Sequence, residues 1–145
     1  MPVEVTQQYI NELVAAYPSI REVWLLGSRA NNRAEERSDW DYLVFADDDR
    51  VLNDLSQSIE FKRPGIDLLF AGTIDIAASP WPESDGDHKM LGLGMAENGI
   101  CWRVISDDEA EYFETKDANP DKPHDMAILR RVAKARLVWR RPSGI

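Results

Sequence analysis

A single cysteine, Cys101, excludes both an internal disulfide and a Cys-rich zinc site. No apolar run approaches the roughly 20 residues that a membrane helix needs. The opening residues MPVEVTQQYI carry Glu4 and no basic stretch ahead of an apolar one, so they do not read as a signal peptide. A cytoplasmic location is the default expectation. Internal repeats and low-complexity tracts are also missing. Positive charge is scarce, with 17 Lys and Arg against 26 Asp and Glu and a formal net charge of −9. That balance argues against broad binding to nucleic-acid phosphates. What is present, 43% hydrophobic and 30% charged residues in 145, suits one globular domain spanning 1–145.

The charge is unevenly distributed. From His124 onward the only acid is Asp125, against Arg130, Arg131, Lys134, Arg136, Arg140 and Arg141. An acidic body with a basic tail can host a polyphosphate only through local cations or metal ions.

Hydrophobic spacing predicts the elements. Tyr9, Ile10, Leu13, Val14 and Tyr17 form a helical stripe after Thr6, read as the N-cap, and before Pro18. REVWLL (21–26), DWDYLVF (39–45) and GIDLLF (65–70) read as strands, and 51–59 as a helix behind the acidic Asp47–Asp49. Residues 79–99, rich in Pro and Gly, read as a loop with a helical turn near 90–97. ICWRVI (100–105) reads as a fourth strand and 107–114 as helical. Residues 124–140 read as an amphipathic helix with Ile128, Val132, Ala135 and Trp139 on one face. The expectation is an α/β (α+β) fold: a mixed sheet of four or five strands flanked by helices. The second and third strands, joined through a helix, would be parallel.

Asp39 and Asp41 lie two apart in a strand, so both side chains leave one face. Asp67 holds the third position of its strand, as Asp41 does of its own. If those strands are parallel neighbours, three carboxylates converge. Like charges so close repel unless a cation joins them, and oxygen ligands of this kind select Mg²⁺ or Mn²⁺. Gly27-Ser28 supplies a turn whose backbone can approach phosphate oxygens, with Arg29 adding a charge.

The run LLGSRANNRAEERSDWDYLVF, with Gly27-Ser28, ten intervening residues and then Asp39-Trp40-Asp41, resembles the signature of the DNA polymerase β-like nucleotidyltransferases. It is especially similar to their minimal members. Asp67 falls where that family has its third carboxylate. The resemblance implies transfer of a nucleoside monophosphate from a triphosphate to an acceptor, with release of pyrophosphate. It assigns Asp39, Asp41 and Asp67 to catalysis and to two Mg²⁺ ions, and Gly27, Ser28 and Arg29 to the nucleotide. ATP is the default donor; the acceptor is open among a small molecule, a protein side chain and an RNA end. The rival reading is a non-catalytic or partner-dependent module, such as the antitoxin-like subunit of a two-protein system with a helical partner protein. No large helical region is legible after the motif to name the acceptor. Asp85, Asp87 and His88 read as a surface loop, Ser38 as a turn residue, His124 as a helix-start residue and Cys101 as a small buried hydrophobe.

Overall fold

A computed structural model describes residues 3–31, 39–72, 76–78, 80–81, 90–92, 102–117 and 128–142. Helix α1 (Val3–Ala16) leads into β1 (Ile20–Leu26), the four-residue α2 (Gly27–Ala30), β2 (Trp40–Ala46), α3 (Arg50–Ser56) and β3 (Ile66–Ala71). Five further strands follow: β4 (Ile76–Ala78), β5 (Met90–Gly92), β6 (Arg103–Val104), β7 (Glu109–Asp117) and β8 (Ile128–Arg140). They form one sheet ordered β5-β4-β3-β2-β1-β8-β7-β6. The expected mixed α+β class is the observed one. β2 and β3 are parallel, joined through α3, whereas every other pairing is antiparallel.

The sheet separates two apolar clusters. On one face Tyr9, Ile10 and Leu13 of α1 and Val51 and Leu55 of α3 pack against Val23, Leu25, Tyr42, Val44, Ile66, Leu68 and Phe70. The other face gathers Trp24, Leu26, Leu43, Leu69, Ala71, Ala110, Tyr112, Ala133 and Ala135. Trp102 closes edge-on against Trp24, with ring centroids 5.2 Å apart at 84°. Strand alternation therefore assigns each residue of β1–β3 to one cluster or the other, and this decides where the acidic side chains lie.

Several expectations need correction. The described part of the helix expected over 124–140 is not helical: 128–140 is strand β8, which pairs with β1 on one edge and β7 on the other. Without β8, β1 would be an edge strand with unpaired amides beside a bulky apolar face, and pairing removes that cost. Residues 107–114 likewise contribute to β7 rather than to a helix. With β4 and β5 added, the described residues hold eight strands, not four or five. Within the described part of the fourth expected strand, Arg103–Val104 is β6, and the described start of the expected helical turn, Met90–Gly92, is strand β5. Thr6 is not an N-cap. It lies inside α1, 1% exposed, with its hydroxyl hydrogen-bonded to Tyr42.

The acidic run before α3 behaves as its charge predicts. Asp48 accepts the amide of Arg50 at 3.0 Å, while Asp47 pairs with Arg21 and with Arg141. The indole N–H of Trp81 closes the far end of that helix by donating to the carbonyls of Leu55 and Ser58.

Candidate active site

Three chain points meet at one end of the sheet. Leu26, the last residue of β1, is the register partner of Asp41 in β2, and Asp41 is the register partner of Asp67 in β3. Adjacent strands lie about 4.8 Å apart, so Asp41 and Asp67 are immediate neighbours. Both share the parity of Leu43 and Leu69, on the face away from α1 and α3. Asp39 precedes β2 by one residue and continues the alternation of Asp41. The ladder reaches back to this point, because the amide of Trp40 donates to the Gly65 carbonyl at 2.8 Å. Asp39 and Asp67 are exposed and Asp41 is half-buried. Among the described residues, no three acidic, His or Cys side chains are already gathered as a ligand set.

Gly27 turns the chain across the first of these carboxylates. Its φ is 71°, a left-handed conformation that favours glycine. A Cβ there would stand 2.3 Å from Oδ2 of Asp41, so only a residue without a side chain admits both groups. The turn is held on every side. Its amide donates to the Tyr112 hydroxyl at 2.9 Å, and its carbonyl accepts the Asn31 side-chain amide at 2.8 Å. Asn31 in turn exchanges two hydrogen bonds with the Lys134 backbone. The carbonyl of Arg29 accepts from the Arg136 guanidinium at 3.0 Å.

Arg29 departs from the expected cluster. Its guanidinium lies 4.1 Å from the Trp40 ring centroid, on the side of the sheet that carries α1. With Arg136, Thr6, Gln7 and Tyr42 it borders a pocket of about 370 Å³ on that side. The carboxylates are on the other side. Ser28 sits within α2, between Gly27 and Arg29. Asp85, Asp87, His88, Ser38, Cys101 and His124 lie outside the described residues.

Tyr112 and Asn31 were not legible as site residues. Tyr112 belongs to the segment read as a helix, although the alternation in Glu109-Ala110-Glu111-Tyr112 is a strand signal. Asn31 lay in a polar stretch with nothing to mark its partner across 103 positions.

Residues 8–87, more than half of the chain, match the family model for polymerase beta, nucleotidyltransferase. The chain belongs to this family. The match contains the Gly27-Ser28 turn and all three acids, and it ends before β6, β7 and β8. No curated protein and no solved structure matches the chain. Among the described residues, no helix is long and apolar enough to cross a membrane.

Proposed function

We propose that this nucleotidyltransferase-family domain moves a nucleoside monophosphate from a nucleoside triphosphate, with ATP as the working donor, to an acceptor hydroxyl. The observation that carries this reading is the register that sets Asp41 beside Asp67 on one face, with the Gly27 backbone pressed against Asp41. The donor set fits magnesium. It consists of carboxylate oxygens only, two of the carboxylates set side by side by backbone pairing, with no nitrogen or sulfur among them. Asp39, Asp41 and Asp67 would hold the metal ions, which supply charge compensation at the attacking and leaving oxygens.

The chain's own groups then divide the work. The Gly27-Ser28 turn holds the β and γ phosphates. Asp67, the more exposed member of the central pair, takes the proton of the acceptor hydroxyl as its oxygen bonds to the α phosphorus. The bond from that phosphorus to the bridging oxygen breaks, and pyrophosphate leaves. The acceptor's class is open, whether small molecule, protein side chain or RNA end.

Calorimetric titration of ATP and the other triphosphates, with and without Mg²⁺, tests the reading. Mg²⁺-dependent binding to the wild type that disappears in the Asp39→Ala/Asp41→Ala double variant is the expected result. A well-folded wild type that binds no triphosphate overturns it. The domain would then be a family scaffold acting through a partner protein.

A further inference from the structure

The hairpin of β7 and β8 lies outside the stretch that matches the family, yet it reaches the Gly27 turn at three points. Tyr112 accepts the Gly27 amide. The Lys134 backbone holds Asn31, which holds the Gly27 carbonyl. Arg136 holds the carbonyl of Arg29. Tyr112 is 3% exposed and stacks on Trp102 at 6.5 Å and 24°, so its hydroxyl position is fixed by packing. Glycine has the widest backbone freedom of any residue, so ties on both its amide and its carbonyl are what narrow this turn to one shape.

We propose that Tyr112 is a positioning residue for phosphate recognition. Through the Gly27 amide it sets the Gly27-Ser28 turn in the shape that receives the pyrophosphate part of a nucleotide, and Asn31 does the same from the carbonyl side. The inference rests on the nucleotidyltransferase reading above, and it adds that phosphate affinity depends on Tyr112, a residue the family match does not contain. The Gly27 amide is engaged with Tyr112, so the phenol acts by shaping the turn and not by touching the phosphates.

Two readouts on Tyr112→Phe test it, the first without ligand. Loss of the hydroxyl removes the acceptor of the Gly27 amide, so hydrogen exchange at that amide, followed by NMR, should accelerate by roughly tenfold relative to wild type. In calorimetry, the Kd for magnesium pyrophosphate should rise about fivefold, and that for ATP equally, while AMP changes less than twofold. A merely structural role would lower the fraction of competent protein or weaken all three ligands together. Asn31→Ala should reproduce the pyrophosphate-selective loss, which guards against a folding defect peculiar to the buried tyrosine. Unchanged Gly27 exchange, or unchanged pyrophosphate affinity in both variants while wild type binds, overturns the positioning role and leaves the function standing. A wild type that binds neither pyrophosphate nor ATP overturns both readings.

Discussion

Gly27 is held at φ 71° with a carboxylate oxygen where its side chain would be, so alanine at this position asks for two separate payments. The left-handed backbone costs an L residue about 1–2 kcal/mol. The new Cβ would lie 2.3 Å from Asp41 Oδ2, whereas ordinary contact begins near 3.4 Å. The carboxylate must therefore withdraw by about an ångström, which forces it off its rotamer at about 0.5–1.5 kcal/mol. Together these predict that Gly27→Ala destabilises the fold by about 2–3 kcal/mol and displaces the Asp41 carboxylate from its present place beside the turn. Gly65 supplies the control. It has φ 82° and is exposed, so Gly65→Ala should cost the backbone part alone, about 1–2 kcal/mol. Urea denaturation, with midpoints and slopes compared across wild type and both variants, measures the difference. Calorimetry with magnesium ATP measures the second consequence, at least a tenfold loss of affinity for Gly27→Ala. If Gly27→Ala costs no more than Gly65→Ala and binds magnesium ATP as wild type does, the packing of the turn against Asp41 has no bearing on the site.

Four other perturbations separate stability from function. Asp67→Asn removes one of two like charges on directly opposed strand positions, so ligand-free stability should rise by about 0.5 kcal/mol while magnesium-dependent ATP binding is lost; thermal melts and calorimetry read the two signs. Arg29→Met removes the cation over Trp40 and should cost about 1 kcal/mol in urea, with ATP affinity changed less than twofold because the guanidinium faces away from the carboxylates. Burial holds the Tyr9 phenol well above its usual value, and its hydroxyl donates to the buried Phe61 carbonyl. The folded state thus keeps a proton that the unfolded chain releases near its ordinary pKa of 10.0. The stabilisation is complete below that pH and falls as pH rises beyond it. Tyr9→Phe should lose about 1 kcal/mol at neutral pH and show a flatter decline above pH 10 in denaturation midpoints. In β8, Val132 is 56% exposed and Ala133 is 2% exposed, so Val132→Lys should stay within about 0.5 kcal/mol of wild type and Ala133→Lys should cost about 3 kcal/mol or more. The opposite order would restore the helical reading of this segment, which buries Val132.

The acidic pair was legible because its information is local. A strand's period of two puts Asp39 and Asp41 on one face, and a helix between two apolar strands dictates parallel neighbours. Matching third positions then set Asp41 against Asp67, and the observed register agrees. Gly27 was legible for a related reason, since a glycine ending a buried strand marks a turn. Arg29 was not, because a basic residue after such a turn has two directions open to it. The choice was made by Trp40, an aromatic face on the helix-bearing side of the sheet.

The hairpin failed for a different physical reason. Of the 13 residues in ILRRVAKARLVWR, 9 are Ala, Leu, Lys or Arg, all good helix formers, and its apolar residues satisfy a helical stripe. The competing alternation, Ala133, Ala135 and Leu137 against Lys134 and Arg136, uses small residues whose period-two signal is faint. Those same small residues are what the second cluster needs, since Trp24, Trp102 and Tyr112 fill the space over that face and leave little room on β8. Tertiary packing against large aromatics far away in sequence therefore decided the local conformation. Had β8 been helical, β1 would have lost one of its two hydrogen-bonding neighbours, Lys134 could not exchange backbone bonds with Asn31, and Tyr112 would have no fixed place above Gly27. The carboxylates are written in a short stretch of chain, but the shape of the turn beside them is written in a strand pairing about a hundred residues away. Sequence reasoning found the acids before it found what holds the turn for this reason.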